Sequence, residues 1–298
     1  CLNKACIIRN PETVSNPDGS VSDPWSQCTV VQVESLKSLL RILPMWSTGI
    51  FMMAYQGSFS TLQANTMDRR LFGNFKMPAG SFNLIILITA SIMILTYDRI
   101  MVPLLAKYKG LPKGFSCKTR MGTGLLFVCA AKATSAIVET MRRNVAIEEG
   151  YEDQPNAVIH MSVLWLVPEL FFLGIAEAFN PVGQIEFFYT YIPKSMSSFA
   201  MALFTLELAA ANVVGSVLVS IVDKVTSVGG NDSWLSTNIN RGHLNYYYAL
   251  LSCLCIINYF YFLAVCWAYG SAPTLGQKLE ASAWKEKEQF DYRELPTS

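Results

Sequence analysis

Six stretches of about 20 predominantly apolar residues limit what this 298-residue chain can fold into. A helix of about 20 residues crosses the roughly 30 Å of hydrocarbon in a bilayer. Strands do not fit, because each stretch is longer than a strand and none alternates apolar with polar residues. The sequence therefore predicts an all-α membrane protein. Its six transmembrane helices cover residues 42–63, 80–105, 121–140, 161–189, 197–222 and 246–269.

Composition agrees with a membrane environment and argues against nucleic-acid binding. Hydrophobic residues make up 52% of the chain and charged residues 15%, whereas soluble domains contain about 25% charged residues. The net charge is +1, and no cluster of Lys and Arg is dense enough to form a basic surface. Eight cysteines are scattered without a CxxC pair or a histidine at ligand spacing. We therefore expect reduced thiols, no metal site and no cofactor.

Polar segments flank the helical region. Residues 1–27 contain Asn-Pro and Asp-Pro turn signals and lack a periodic apolar face, which predicts a loop. Residues 28–41 carry an amphipathic helical pattern that leads into the first span. We expect a six-helix bundle over residues 28–270, between a cytoplasmic loop at 1–27 and a charged cytoplasmic tail at 271–298.

The distribution of Lys and Arg predicts which side of the membrane each loop faces. With the N-terminal loop inside, the cytoplasmic segments hold 14 of these residues and the external segments hold 7. This difference satisfies the positive-inside rule and places both termini in the cytoplasm. Asn231 begins an Asn-Asp-Ser glycosylation sequon in the last external loop, a position that agrees with this orientation.

The fourth predicted span carries polar side chains where a membrane helix is usually apolar. Glu177 lies near its middle, and Gln184 follows seven residues later on the same helical face. Gly174 and Gly183 allow other helices to approach closely, and Pro181 removes a backbone hydrogen bond. A charged side chain at this depth costs at least about 2.5–3.5 kcal/mol without a partner or a wet cavity. We interpret Glu177 and Gln184 as substrate-binding or proton-binding residues; a structural hydrogen bond between helices is the alternative.

Lys132 lies inside the third predicted span, where a charge is costly for the same reason. A lysine side chain reaches the membrane surface from only a limited depth. Lys132 therefore needs a carboxylate partner, a neutral form or contact with water. Glu177 and Glu207 are candidate partners, and Glu139 lies seven residues further along the same face. A buried ion pair is favoured over an anion-binding role.

Four further residues in the spans are weaker candidates for substrate or proton binding. Trp46 and Gln56 in the first span combine a bulky aromatic ring with a polar side chain, which suits the wall of a substrate cavity. Asn83 in the second span and Glu207 in the fifth are the other two. For Asn83 and Glu207, hydrogen bonding between helices is the commoner use, so both interpretations stay open.

Several segments of the chain, in order, resemble plant members of the nitrate/peptide transporter family, which belongs to the major facilitator superfamily. They cover most of residues 28–270. The segments are LKSLLRILPMWSTGI, QANTMDRR, YDRIMVPL, LPKGFSCKTRMGTGL, GIAEAFNPVGQIEFFY and NYYYALL.

The resemblance implies two six-helix bundles, of which this chain supplies helices seven to twelve, one half of the major facilitator superfamily fold. It implies proton-coupled symport of a small solute, such as nitrate, a di- or tripeptide or a related plant metabolite. The implied location is the plasma membrane or the vacuolar membrane. The implied partners are an anion or other small-molecule substrate, protons, membrane lipid and the missing N-terminal six-helix half.

The resemblance also bears on single residues. Glu177 matches the family's tenth-helix glutamate, which binds a substrate amine or takes part in proton coupling. The histidine that one branch uses for nitrate on the seventh helix has no match around residues 53–55. A histidine-dependent nitrate mechanism is therefore not expected here.

Two other functional classes compete with transport. An intramembrane enzyme lacks support, because the chain contains no HExxH motif and no Ser/His or paired-Asp arrangement, so we expect no enzymatic activity. The remaining alternative is a truncated, non-transporting protein that only associates with other membrane proteins. An upstream sequence with an acidic motif on its first helix distinguishes a transporter from that alternative.

Overall fold

The computed structural model describes residues 30–56, 59–72, 75–111, 114–192, 197–228 and 232–269. These residues form eight α-helices, most of them long and apolar. The helices are α1 (Val30–Gln56), α2 (Ser60–Thr66), α3 (Leu84–Thr96), α4 (Val102–Lys109), α5 (Cys117–Glu148), α6 (Val167–Tyr191), α7 (Ser197–Thr226) and α8 (Leu244–Tyr269).

The helices supply six apolar spans in the predicted order. Five helical segments are long and apolar enough to cross a membrane, and α1 contributes a shorter apolar segment at Leu39–Ala54. The second span is composite, because a 3-10 turn at Ala79–Asn83 precedes α3 and a π-helical turn at Tyr97–Met101 joins α3 to α4. The all-α, six-helix fold class is confirmed.

Several predicted span limits differ from the helix ends, most of all in the first and third spans. The first span, at residues 42–63, is divided between α1 and α2, so that Gln63 lies on the short helix α2. The third span was expected to end at residue 140, but α5 continues for two further turns. Arg142 was assigned to the loop after this span because of its charge, whereas Glu139 was expected within the span. Both side chains are buried and paired with each other, so these two charges are shielded as the helix continues.

Four short strands connect the loops at one end of the bundle. They are β1 (Met67–Asp68), β2 (Arg70–Phe72), β3 (Phe75–Lys76) and β4 (Ile159–Ser162). β1 pairs with β4 in parallel, and β2 pairs with β3 in antiparallel orientation. The first two residues of the predicted fourth span, 161 and 162, therefore belong to β4, and a 3-10 turn at Val163–Leu166 precedes α6.

Helix α6 occupies the centre of the bundle. It packs against α5 and α3 and is the most buried of the membrane-length helices. A Cβ on Gly124 of α5 would lie 2.6 Å from Cβ of Asn180, and a Cβ on Gly174 would lie 2.6 Å from Cβ of Thr89. Helices in membranes associate closely where small residues let their backbones approach. In contrast, α7 packs mainly on α1 and leaves most of its surface exposed.

Candidate functional site

A buried polar contact joins α6 to α7. Nε2 of Gln184 lies 2.6 Å from Oε1 of Glu207 and also donates to its Oε2. Both side chains are fully buried. The sequence identified Gln184 and Glu207 as separate candidates, and the structure places them in direct contact. Whether they bind substrate or protons stays a prediction.

Helix α1 closes over this contact. A Cβ added to Gly49 would overlap both Oε1 of Glu207 and Nε2 of Gln184, so α1 approaches without a side chain at that position. Trp46, three residues earlier on the same face of α1, donates its Nε1–H to the carbonyl oxygen of Leu203 on α7 at 2.9 Å. The predicted cavity residue Trp46 therefore anchors α1 to α7. Helices α1, α6 and α7 meet at the Gln184–Glu207 contact.

Lys132 of α5 forms a buried ion pair with Glu169 of α6, about four turns before Gln184 along that helix. Its Nζ lies 3.7 Å from Oε1 of Glu169, and both side chains are fully buried. The sequence predicted such a pair but did not consider Glu169, which follows Pro168 near the beginning of its predicted span. A carboxylate in that position is usually near water. Glu207, one of the two partners suggested from the sequence, instead binds Gln184.

A second charged pair lies two to three turns further along α5. Arg142 donates two hydrogen bonds to Glu139, from Nε to Oε2 at 2.7 Å and from Nη2 to Oε1 at 2.8 Å. Gln63 donates to Glu139 Oε2 at 2.7 Å, and Arg142 Nη1 donates to Asn240 Oδ1 at 2.7 Å. Asn240 in turn donates to two carbonyl oxygens in the loop after α5. The buried guanidinium and carboxylate are thus paired and further hydrogen-bonded, which is the condition under which such groups are tolerated.

Tyr248 of α8 connects the two charged pairs. Nζ of Lys132 lies 5.6 Å from the centroid of its ring, within cation–π distance. Its hydroxyl donates to Gln63 Oε1 at 3.2 Å and accepts the backbone N–H of Phe59 at 3.0 Å. Polar contacts therefore extend from Glu169 through α5, α8 and α2 to the loop after α5.

A charged cluster lies at the other end of α5 and α6. Nη1 of Arg120 donates to Glu186 at 2.7 Å, and the Arg120 guanidinium lies 5.3 Å from the centroid of the Tyr97 ring. The Tyr97 hydroxyl accepts the backbone N–H of Phe115 at 2.8 Å. Gly114 has a φ of +75° and passes so close to Tyr97 that a Cβ would lie 2.6 Å from its hydroxyl oxygen. This cluster fixes the loop between α4 and α5 against α6.

The histidine in the loop before α8 has a lowered pKa. His243 precedes α8 and stacks on Tyr246, with ring centroids 4.9 Å apart. Burial lowers the pKa of His243 below its usual value of 6.5, and the positive charge of Arg143 lowers that pKa further. The neutral imidazole is therefore favoured.

The other predicted site residues have different surroundings. Glu177 is partly buried on α6 and interacts with neighbouring groups. Asn83 is exposed and donates to Thr61 Oγ1 at 3.4 Å, a long hydrogen bond. The side chain of Gln56 and the sequon residue Asn231 lie outside the described residues. Within the described part of the chain, no group of three or more His, Cys, Asp or Glu side chains is arranged to bind a metal ion.

Three residues that take part in the buried ion pairs and hydrogen bonds were not identified as candidates from the sequence. Glu169 could have been found, because it is a carboxylate inside a predicted span and on the helix next to Lys132. Arg142 was assigned to a loop, although the helical pattern of α5 continues through it. Asn240 carried no signal, since it lies 98 residues from Arg142 in the chain.

Comparison with known families identifies the chain. A family model described as PTR2, the POT family, matches residues 12–235. The chain belongs to the POT family. In Arabidopsis thaliana, the protein NRT1/PTR FAMILY 1.2 is 46% identical to it over 274 residues, and NRT1/PTR FAMILY 1.1 is 45% identical over 280 residues. The resemblance to plant nitrate/peptide transporters is therefore confirmed.

These matches are partial on the side of the relatives. They cover 90% and 93% of this chain but only 45% and 47% of the two Arabidopsis proteins. The chain thus spans about half the length of the curated relatives it matches.

Two solved structures share the fold. The POT family transporter PepTSo superposes with a TM-score of 0.60 at 16% identity, over 82% of this chain and 44% of that one. An auto-inhibited POT family peptide transporter gives a TM-score of 0.58 at 18% identity, over 82% and 43% of the two chains. Family membership and five membrane-length helices make the chain an integral, multi-pass membrane protein, and the superpositions show that it shares the fold of these two transporters. Its relatives are transporters and not enzymes, in agreement with the sequence analysis.

Proposed function

We propose that this chain forms helices seven to twelve, the C-terminal half, of a transporter that moves a small solute together with protons. Nitrate, a di- or tripeptide or a related plant metabolite is the expected solute, and the plasma or vacuolar membrane the expected location. Family membership, the five membrane-length helices and the shorter apolar segment of α1 support the transporter class. In this proposal residues 28–270 form the bundle, and residues 1–27 and 271–298 lie in the cytoplasm.

The observation that carries this proposal is the presence of the carboxylates Glu177 in α6 and Glu207 in α7. Glu177 and Glu207 both lie on helices that are long and apolar enough to cross the membrane. An ionised carboxylate there costs at least about 2.5–3.5 kcal/mol, so the neutral, protonated form is accessible. A bundle that served only as a scaffold would pack equally well with apolar residues at these positions. Carboxylates that exchange protons explain why the cost is tolerated.

The two carboxylates differ in solvent exposure, which indicates different roles in transport. Glu207 is fully buried, whereas Glu177 is only partly buried. Pro181 lies within α6, one turn beyond Glu177, and removes a backbone hydrogen bond there. Glu177 is therefore the residue better placed to meet a cationic solute group or a proton from water. The solute would lie between the two halves near the midplane, with access alternating as the halves rock.

Expression of this chain alone and together with the N-terminal half tests the proposal. Because both halves wall the cavity, we expect the 298-residue chain to insert into membranes by itself but to give no proton-dependent uptake. Co-expression with the N-terminal half should restore uptake of labelled nitrate or dipeptide into vesicles under an inward proton gradient. The N-terminal half alone is the control.

Two results would count against the proposal. Saturable, proton-dependent uptake by the chain alone would reject a cavity shared between halves. If the complete protein moved none of the solute classes under a proton gradient, the non-transporting alternative would be favoured.

A further inference from the structure

The contact between Gln184 and Glu207 has more hydrogen-bond acceptors than donors. An ionised carboxylate only accepts hydrogen bonds, and a glutamine amide supplies two N–H donors and one further acceptor. Nε2 of Gln184 serves Glu207, while Oε1 of Gln184 is buried and accepts no hydrogen bond from the described residues. A buried acceptor without a donor is rare in folded proteins and calls for a physical cause.

Protonation of Glu207 removes this imbalance. A neutral carboxyl group has one O–H, which can donate to Oε1 of Gln184 while an N–H of Gln184 donates to the other carboxyl oxygen. Both contacts to the carboxyl group come from Nε2 of Gln184, so the amide must rotate to bring its oxygen to the O–H and complete this two-bond ring. The amide oxygen then has a donor, and the carboxyl group keeps one.

The charges around Glu207 favour the same protonation state. Among the described residues, the structure records no ion pair for Glu207. Helix α7 packs on α1 and α6. Apart from Glu186 and Tyr189, whose side chains are exposed, the ionisable residues of α1 and α6 nearest to the contact are Arg41, Tyr55, Glu177 and Tyr191. Each lies six to eight residues from Gly49 or Gln184, about 9–12 Å along a helix axis. The neutral form is therefore favoured, because an ionised Glu207 would be an isolated charge in an apolar interior.

Further charged groups on these helices are more remote or already paired. Glu186 lies two residues from Gln184 but is half-exposed and bonded to Arg120. Asp223 and Lys224 on α7 itself lie more than four turns beyond Glu207. None of them supplies the counter-charge that an ionised Glu207 requires.

Packing links this proton to the position of α1. Gly49 lies against the contact so closely that even a Cβ would overlap it, which leaves no room for a water molecule on that side. Trp46 fixes α1 to α7 one turn away. We propose that Glu207 is a proton site in this half: it holds a proton, as a neutral acid paired with Gln184, while α1 packs on α7. It releases that proton to water when the two helices separate.

This inference rests on the proposed function for its role in coupling, but the protonation state is measured independently. In the full-length protein, infrared difference spectra between neutral and alkaline pH report the carbonyl band of protonated carboxylic acids. We expect a band at neutral pH that is absent from Glu207→Gln and retained in Asp223→Asn, a matched carboxylate-to-amide change on the exposed face of α7. In Gln184→Leu the band should persist but move to higher frequency, because the carbonyl loses its N–H donor.

Each outcome separates the proton site from the transport proposal. The same spectrum in wild type and Glu207→Gln overturns the proton site, and should Glu207→Gln not fold, an unshifted band in Gln184→Leu does so instead. Proton-dependent uptake without a Glu207 band rejects this inference and leaves the proposed function standing. A Glu207 band in a protein that transports nothing supports the site and rejects the proposed function.

Discussion

At the scale of single residues, burial distinguishes carboxylates that otherwise look alike in sequence. Glu139, Glu169 and Glu207 are fully buried and bonded to Arg142, Lys132 and Gln184, respectively. Glu177 is only partly buried. The sequence predicted that Glu177 and Glu207 were unusual, because a carboxylate in an apolar span is costly whatever surrounds it. It could not show which of them would be enclosed, because enclosure depends on neighbouring helices distant in the chain.

Glu177→Gln in the full-length protein tests the most accessible carboxylate. Glutamine keeps the shape and hydrogen bonding of glutamate but carries no charge and takes up no proton. If Glu177 binds a cationic group or a proton during transport, uptake should fall at least about tenfold, or about 1.4 kcal/mol in the rate-limiting barrier. Surface expression should be unchanged.

Uptake measured against pH, for wild type and Glu177→Gln in parallel, provides the readout. Glu148→Gln, an exposed carboxylate at the end of α5, is the matched control and should behave as wild type. A Glu177→Gln protein with the wild-type rate and pH dependence would remove Glu177 from the mechanism.

At the scale of elements, the helices were predictable where apolar periodicity was uninterrupted. The cores of all six spans were predicted from length and hydropathy alone, since a bilayer permits few alternatives to a helix. Their ends were less predictable. The last two turns of α5 contain Arg142, whose charge suggests a loop until its pairing with Glu139 is known. Phe59, between α1 and α2, donates its backbone N–H to the hydroxyl of Tyr248. Tyr248 lies 189 residues later in the chain, so this contact could not be predicted from the local sequence.

The ion pair that joins α5 to α6 is open to a double-mutant cycle. Lys132→Met leaves the Glu169 carboxylate buried beside an apolar side chain, and breaking a buried pair in this way usually costs about 3–5 kcal/mol. Lys132→Met combined with Glu169→Gln removes both charges and should be less destabilised than Lys132→Met alone. Thermal unfolding of the full-length protein in detergent measures all four forms.

A matched control uses an exposed cation. Arg241 is half-exposed and pairs with Asp153 and Asp232 at the surface, so Arg241→Met should change stability by less than about 1 kcal/mol. Additive effects of Lys132→Met and Glu169→Gln would show that the two side chains are not coupled.

At the scale of the whole molecule, orientation in the membrane still rests on the Lys/Arg count. One of the seven residues predicted to be external, Arg142, is buried in α5 and faces no solvent. Removing it from the count leaves 14 basic residues inside and 6 outside, which strengthens the predicted orientation. The structure also changes which positions can report it. Ser233, in the last loop predicted to be external, is 8% exposed and accepts the N–H of Leu235, so a label would reach it poorly.

Cysteine labelling at exposed positions tests this orientation directly. Lys109 ends α4 and Thr237 lies in the loop before α8, and both are exposed. In a full-length protein whose native cysteines are replaced, Lys109→Cys should react with a membrane-impermeant maleimide only after the cells are permeabilised. Thr237→Cys should react in intact cells, because its loop is predicted to be external. Labelling of Lys109→Cys in intact cells would reverse the orientation, and would place the Arg120–Glu186 cluster on the outer side of the membrane instead of beside the cytoplasm.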